Sequence, residues 1–462
     1  MSIRIMPVLG ALGLAGAVVG NPLQANAQAA TEAQLTSLQR QISALEKQVK
    51  ALKSRPAPVA VKAQKAAEPV PYLKMPGNRP TFCTADGANC IGITGRLHFD
   101  VGGYSYSPNS AATVPQAMRN GVNARRARIG LVGTFARDWD FGVVLDGGGS
   151  QDGTATLNNA YVAYKGIKGL VIEGGYMDVP YTLDEATSSN NITFMERATP
   201  QVLATDIGAG DNRAAFGARA FDKWWWAGAY LTGPTTGYDH ATRVPYGMTA
   251  RAVVVPFNNS NGALLIGGDV LYQFDTGGAP NVNQLRLRDR PEIRIDPTRI
   301  LDTGTLNDVE HARVLSAELA ASFGSFYLQG EYFDYNVGRR ALSDLHFNGG
   351  YVQASYVLTG ESRKYSTSSG SFGGIKPKNP FTPGGGWGAW EIAARYSTVN
   401  LNDANVFGGK QSNLTLGLNW YVNENMRFML NWINGRVEKR NVAGVDTGAS
   451  YNAVAMRAQV AF

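Results

Sequence analysis

The chain has 462 residues with 54 Gly, 20 Tyr and 8 Trp, and only 17% of it is charged, a load suited to many strands and turns. No uninterrupted apolar run of about 18 residues follows the N-terminal segment, which excludes a bundle of membrane-spanning helices for the mature chain. The net charge of +7 is unevenly placed: residues 1–90 hold 10 of the 43 Lys/Arg and 4 of the 36 Asp/Glu, leaving 33 bases against 32 acids in residues 91–462. A nearly neutral body argues against a nucleic-acid partner.

Arg4, an apolar run from Pro7 to Val19 and Ala25-Asn26-Ala27 form a secretory signal over residues 1–27, too short for a comfortable helical anchor. The mature chain is expected to begin at Gln28, exported across a bacterial inner membrane. Residues 28–54 carry Leu35, Leu38, Ile42, Leu45, Val49 and Leu52 at alternating spacings of three and four, the seam of a short coiled coil. Ile42 and Val49 at the a positions with Leu at d favour two strands.

From Arg55 to Pro80 the chain is rich in Ala, Lys and Val and holds six prolines, so residues 55–90 read as a periplasmic linker. Its lysines suit contact with anionic cell-wall carboxylates, or the stretch is a solvated spacer. Cys83 and Cys90, in a chain bound for an oxidising compartment, are expected to form a local disulfide that closes too small a loop to stabilise much. His98, His240, His311 and His346 are scattered singly, so no metal site and no cofactor is expected.

From Ile91 the pattern changes to period two. Val454, Met456, Ala458, Val460 and Phe462 alternate with Arg457 and Gln459; Ile129, Leu131 and Phe135 face away from Arg126, Arg128 and Thr134. The alternation suits a soluble sandwich or, turned inside out, a membrane barrel. Three features favour the barrel. Short turns such as Arg137-Asp138, Asp222-Lys223, Phe323-Gly324-Ser325 and Asn423-Glu424-Asn425 alternate with long polar segments. Aromatics collect near strand ends (Trp224 to Trp226, Trp390, Trp420, Tyr421, Trp432), as interfacial girdles require. Phe462 closes an alternating strand in the manner of an outer-membrane assembly signal.

Seventeen period-two runs begin near Ile91, Arg125, Asp140, Leu157, Leu170, Ala214, Trp224, Met248, Ala263, Gln284, Arg313, Phe326, Asn348, Ala389, Lys410, Met426 and Tyr451. A bacterial barrel with both termini in the periplasm needs an even number. The tight turn at Phe323-Gly324-Ser325 makes the Arg313 run descend, so the surplus run is Gln284–Ile295. It joins an outer loop from Asp275 to Ala312 that bears Arg286, Arg288, Arg290, Arg294 and Arg299. The predicted fold is all-β, a 16-stranded antiparallel transmembrane β-barrel over residues 91–462 with a short N-terminal coiled-coil helix. Such a barrel encloses an aqueous channel, and the two long loops, 177–213 and 275–312, are available to narrow it.

The sequence resembles the phosphate-selective porin O and P family. The resemblance rests on Arg125-Arg126-Ala127-Arg128, Thr187-Ser188-Ser189 with Phe194-Met195-Glu196-Arg197, and Arg290-Pro291-Glu292. Leu358-Thr359-Gly360-Glu361-Ser362-Arg363, Gly388-Ala389-Trp390-Glu391, Arg395-Tyr396-Ser397 and Gly417-Leu418-Asn419-Trp420-Tyr421 extend it over nearly all of residues 91–462. It implies a homotrimeric porin in the outer membrane of a Gram-negative bacterium, embedded in outer-membrane lipid, whose folded-in third loop constricts the pore. Basic residues would guide small anionic solutes such as phosphate. The third loop departs from the family pattern: Met177-Asp178-Val179-Pro180 has an aspartate where a lysine usually precedes the proline.

By alternation the lumen receives Arg96, Arg126, Arg128, Arg219, Arg251, Arg395 and Arg457, but also Asp100, Asp140, Asp146, Glu173, Asp269, Glu318, Glu331 and Glu391. Such rows often form cross-strand ion pairs that stiffen a wall. The expected anion-binding set is Arg126, Arg128, Arg219 and Arg251 on the wall with Arg286, Arg288, Arg290 and Arg294 on the loop. Two other function classes bracket this expectation. An outer-face enzyme would need a nucleophile, a His and an acid, and neither His98 nor His311 stands in such a context. A tether would use the coiled coil and basic linker to join outer membrane to cell wall. Within the channel class, a weakly selective general porin is the alternative.

Overall fold

The computed structural model describes residues 24–54, 70–110, 118–149, 154–208, 212–239, 241–279 and 282–462. They fall into two units that divide at Pro69/Val70. In the first, helix α1 (Gln24–Lys53) carries the heptad seam, and Leu35, Leu38, Ile42, Leu45, Val49 and Leu52 are all exposed along it. Lys50 and Lys53 occupy its last turn, where they complement the helix dipole. The helix begins ahead of the expected cleavage point after Ala27, whereas most of the signal segment, residues 1–23, and residues 55–69 of the expected linker lie outside the described residues.

The second unit starts earlier than expected. Residues 70–89 are not a spacer: Tyr72–Lys74 pairs with Thr81–Cys83, which in turn pairs with the first barrel strand, opposing Cys83 to Cys90 across a disulfide.

Sixteen long strands follow: β1 (Cys90–Pro108), β2 (Gly121–Phe135), β3 (Trp139–Asp146), β4 (Thr156–Ile167), β5 (Leu170–Met177), β6 (Arg213–Asp222), β7 (Trp225–Thr235), β8 (Tyr246–Asn259), β9 (Gly262–Asp275), β10 (Val309–Phe323), β11 (Phe326–Arg339), β12 (Leu345–Val357), β13 (Ala389–Asp403), β14 (Val406–Tyr421), β15 (Met426–Val442) and β16 (Ala449–Ala461). Each pairs antiparallel with the next, and β16 pairs with β1, placing Arg457 opposite Asp100 and Val454 opposite Gly103. The sheet is therefore closed and leaves no edge. Phe462 completes the seam: its N–H donates to Gly95 O and its carbonyl accepts from Gly95 N, both at 3.0 Å. A Cβ on Gly95 would sit 2.4 Å from the Phe462 ring, so a larger residue there would displace the ring.

The faces are inverted relative to a soluble protein. Ile129, Leu131, Phe216, Leu231, Val254, Val352, Leu416, Val454 and Met456 are 45–63% exposed on the outer surface, while Asp100, Glu391, Thr415, Asn419 and Arg457 inside are 0–1% exposed. This is the apolar-out, polar-in arrangement that a bilayer selects. Aromatic contacts ring the end where the termini and the tight turns lie. Phe135 stacks on Trp139, Phe257 on Phe323, and Trp420 between Trp390 and Phe428, at 5.2–6.0 Å. Two residues expected in this girdle are elsewhere: Trp226 is buried inside the barrel, and Trp432 lies mid-wall between Leu416 and Val454.

The run Gln284–Ile295 stays out of the wall, and the described part of its loop instead contains five short paired pieces, from Gly278–Ala279 to Leu306–Asn307. One connection departs from the expected asymmetry. Residues 358–388 form a long segment at the same end as the tight turns, so that end too contributes an insert.

Candidate functional site

Three segments enter the barrel: residues 178–208 and 282–308 from the far end and 361–375 from the termini end. The first contains helices α2 (Leu183–Ala186) and α3 (Thr199–Gly208), almost wholly buried. Its attachment is polar, because the wall it meets is polar. Glu196 accepts from Arg125 at 2.9 Å and from Arg457 at 2.7 Å, and lies 3.4 Å from Arg294. Burial works against the charged form of this carboxyl, but Arg125, then Arg457 and Arg294, outweigh it and hold Glu196 well below the usual carboxylate range. Arg427 donates to the carbonyls of Ile192 and Thr193 at 2.8 and 3.0 Å.

The second insert is held the same way. Glu292, at a positive φ of 57° between two loop strands, accepts from Arg395 at 2.7 Å, Ser397 at 2.5 Å and the Thr199 amide at 3.0 Å. The Arg-Pro-Glu stretch is thus in part a clasp. The third insert rises to meet the first. Arg363 pairs with Glu391 at 3.0 Å and donates to Asn191 O at 2.6 Å, and Ser371 donates to Ala186 O at 3.1 Å. Arg251 and Trp226 seal its other flank by donating to Gly370 O and Ser368 O at 2.7 and 3.2 Å.

Space remains on the β1–β7 side. Near the termini end a cavity of about 530 Å³ is lined by Asp140, Lys165, Glu173, Arg219, Asp178 and Ser368, among others. It shares Asn159, Tyr161 and Asp178 with a smaller one of about 200 Å³ that adds Arg96 and Arg128. Beyond it a third, of about 360 Å³, is lined by Arg125, Arg197, Arg213 and Arg294 against Glu185, Glu196 and Asp206. The Asn158 and Asn212 side chains hydrogen-bond to each other between the second and third spaces.

The sequence-selected arginines divide sharply. Arg128 pairs with Asp146 across the strands at 2.6 Å, Arg219 with Glu173, and Arg251 with Glu318 at 2.8 Å. Arg126 is 2% exposed and donates to His98 at 3.3 Å. Arg286 is bound to Asp302 by two hydrogen bonds of 2.8 and 2.5 Å. Arg288 and Arg290 have no acid within ion-pair distance among the described residues. The Arg290 guanidinium is pushed down to about 10 by burial, then by Arg294 and Arg299, with Asp289 opposing. Arg125 was invisible to alternation. A bulge pairs His98 with Arg126 and Phe99 with Ala124, skipping Arg125 and turning it inward as well. Three arginines in the four residues 125–128 was the available signal.

A closed polar-lined barrel narrowed by folded-in segments is a channel architecture, and the family model for phosphate-selective porins O and P matches residues 91–462. The chain belongs to that family. Porin O of Pseudomonas aeruginosa is 26% identical over 404 residues, 80% of this chain and 88% of its own. Among solved structures, a loop L8 deletion mutant of OmpT, an outer membrane protein of Vibrio cholerae, superposes with a TM-score of 0.50 at 10% identity, covering 81% of this chain and all of that one. This porin is an outer-membrane channel of a Gram-negative bacterium, built on sixteen strands.

Proposed function

We propose that the porin passes small hydrophilic solutes by passive diffusion along the β1–β7 side of its lumen, with a preference for anions such as phosphate. The observation that carries this is the cluster of Arg125, Arg290, Arg294 and Arg299 beside the upper cavity. Arg290 has no acid within ion-pair distance among the described residues, and Arg294, Arg299 and Arg125 all lower its proton affinity while Asp289 opposes them, which marks a local positive potential although Glu196 binds Arg125 and Arg294. The porin acts as a homotrimer with its N-terminal unit in the periplasm, where the exposed seam of α1 suits association with copies of itself and the basic linker suits contact with the cell wall. Within the proposed anion set, Arg290 and Arg294 carry the selectivity, and Arg126, Arg128, Arg219, Arg251 and Arg286 serve mainly to hold the wall and loop.

A weakly selective general porin is the second reading, favoured by Asp140, Glu173 and Asp178 in the lower cavity. Reversal potentials under a salt gradient in planar bilayers separate the two. Replacing Arg290 and Arg294 together by Gln should lower the anion-over-cation permeability ratio on the order of twofold or more, because charges in a narrow low-dielectric space act strongly. An unchanged ratio with conductance intact would leave the general porin.

A further inference from the structure

We propose that Asp269, Glu318 and Glu331 bind a hard divalent cation, calcium in preference to magnesium, which fastens the first insert to the wall. The three residues stand on adjacent strands β9, β10 and β11, with Glu318 directly opposite Glu331 and Asp269 opposite Ser316. One carboxylate oxygen from each lies within 4.8 Å of the others, and all three residues are buried. Arg251 is the base that reaches them, 2.8 Å from Glu318 and 3.5 Å from Asp269. Glu331 pairs with no lysine or arginine among the described residues; it accepts from the amides of Leu183 and Asp184 at 2.8 and 3.2 Å and from the Tyr351 hydroxyl. Three carboxylates against one guanidinium leave two negative charges to be met in a buried space, where an uncompensated charge is costly.

A second, independent feature points to a ligand. The Tyr181 hydroxyl is fully buried, lies within electrostatic reach of Asp269 and Glu331 beside Ser316, and makes no hydrogen bond of proper geometry. Protons shared among the carboxylates would cancel the charge and still leave this oxygen without a partner. A cation answers both. The donors are all oxygen, which selects a hard ion over zinc or copper. Calcium takes six to eight oxygens at about 2.3–2.6 Å, so opposite ligands stand about 4.6–5.2 Å apart; magnesium demands about 4.2 Å and strict octahedral order. Because Thr182 N donates to Asp269 at 3.1 Å and the next two amides to Glu331, an ion here would fix Tyr181–Asp184, the root of the constricting segment. The absence of paired His and Cys, which argued against a metal in the sequence, does not bear on an all-oxygen site.

The test uses full-length porin folded into detergent free of lipopolysaccharide, which binds divalent ions itself. After exchange into metal-free buffer, the bound calcium is counted by elemental analysis, and heat unfolding is compared in calcium, in magnesium and in chelator. About one calcium per chain should be retained, and unfolding should move to higher temperature in calcium than in chelator. Glu331→Gln and Asp269→Asn should each weaken calcium binding at least about tenfold. Should the variants not fold, the wild-type protein decides: terbium emission excited through tyrosine should saturate and be displaced by calcium. No retained ion with identical unfolding in calcium and chelator overturns the site. Wild-type calcium binding in both variants does so too, and an equal response to magnesium overturns the calcium preference.

Discussion

The wall from β9 to β16, which closes on β1 through Arg457 and Asp100, and the wall from β2 to β7 obey the same two-residue alternation and point similar charges inward, yet they end in different states. Along β9–β14, Glu318, Glu391 and Arg395 are at most 3% exposed, Glu391 and Arg395 clasped by inserts and Glu318 by Arg251 of β8. Along β1–β7, Arg96, Arg128, Asp140 and Arg219 line open space. Alternation decides which way a side chain points. Whether that side chain becomes structure or pore lining is decided by what lies across from it, and the anchors of the first and second inserts at Arg395, Arg427 and Arg457 all stand on the first wall.

This contrast is broken most severely by removing one partner of a sealed pair. Arg457 holds Asp100 through hydrogen bonds of 2.6 and 2.7 Å and reaches Glu196 as well, with its side chain wholly buried. Arg457→Ala strands the buried Asp100 carboxylate, while Glu196 keeps Arg125, and should cost about 3–5 kcal/mol, read as a lower urea midpoint for unfolding in detergent. A loss below about 1 kcal/mol, the range of exposed pairs, would place this wall in the same class as the open one. Phe462→Asp comes next. It puts a charge on the outer face where the Phe462 ring covers Gly95, and most of the folded protein in the outer membrane should be lost, measured by heat-modifiable migration. Normal amounts of folded barrel would show that the seam does not depend on the ring.

A smaller effect sharpens the contrast on the open side. Asp289, beside Arg290 in the second insert, is pushed up to about 6 by burial, with Arg294 opposing. In the unfolded chain it titrates near its ordinary value of about 4. Its charge therefore weighs against the folded state above pH 6, and that penalty is relieved progressively as pH falls from about 6 to about 4. Protonation also removes the acid that opposes Arg290 most directly, so anion preference should rise between pH 7 and pH 5. In Asp289→Asn the reversal potential should be flat over that range; an identical pH response in the variant would assign the titration elsewhere.

Much of the barrel could be read from the sequence because strand pleating imposes a local, period-two rule. The sixteen runs, the tight turns at Arg137 and Gly324 and the exclusion of Gln284–Ile295 all follow from it. The candidate site was less legible, since it depends on pairs far apart in the chain. Glu196 and Glu292 looked like companions of arginine-rich motifs; their role as clasps needs Arg457 and Arg395, 261 and 103 residues away. Arg125 was hidden by a bulge, which breaks the local rule itself. Trp226 has the composition of an interfacial residue, and only the segment 368–370 folding back beneath it explains its burial.

The central claim is that solutes travel beside β1–β7 and not through the sealed wall. Cysteine labelling during single-channel recording tests it directly. Asn159 lines both the lower and the middle cavity, whereas Gln353 on β12 is 4% exposed and hydrogen-bonded to Gln329 at 3.0 Å. A small cationic thiosulfonate applied to Asn159→Cys should lower conductance in discrete steps, one per subunit, and the same reagent should leave Gln353→Cys unchanged. Block of Gln353→Cys with no effect on Asn159→Cys would contradict the account.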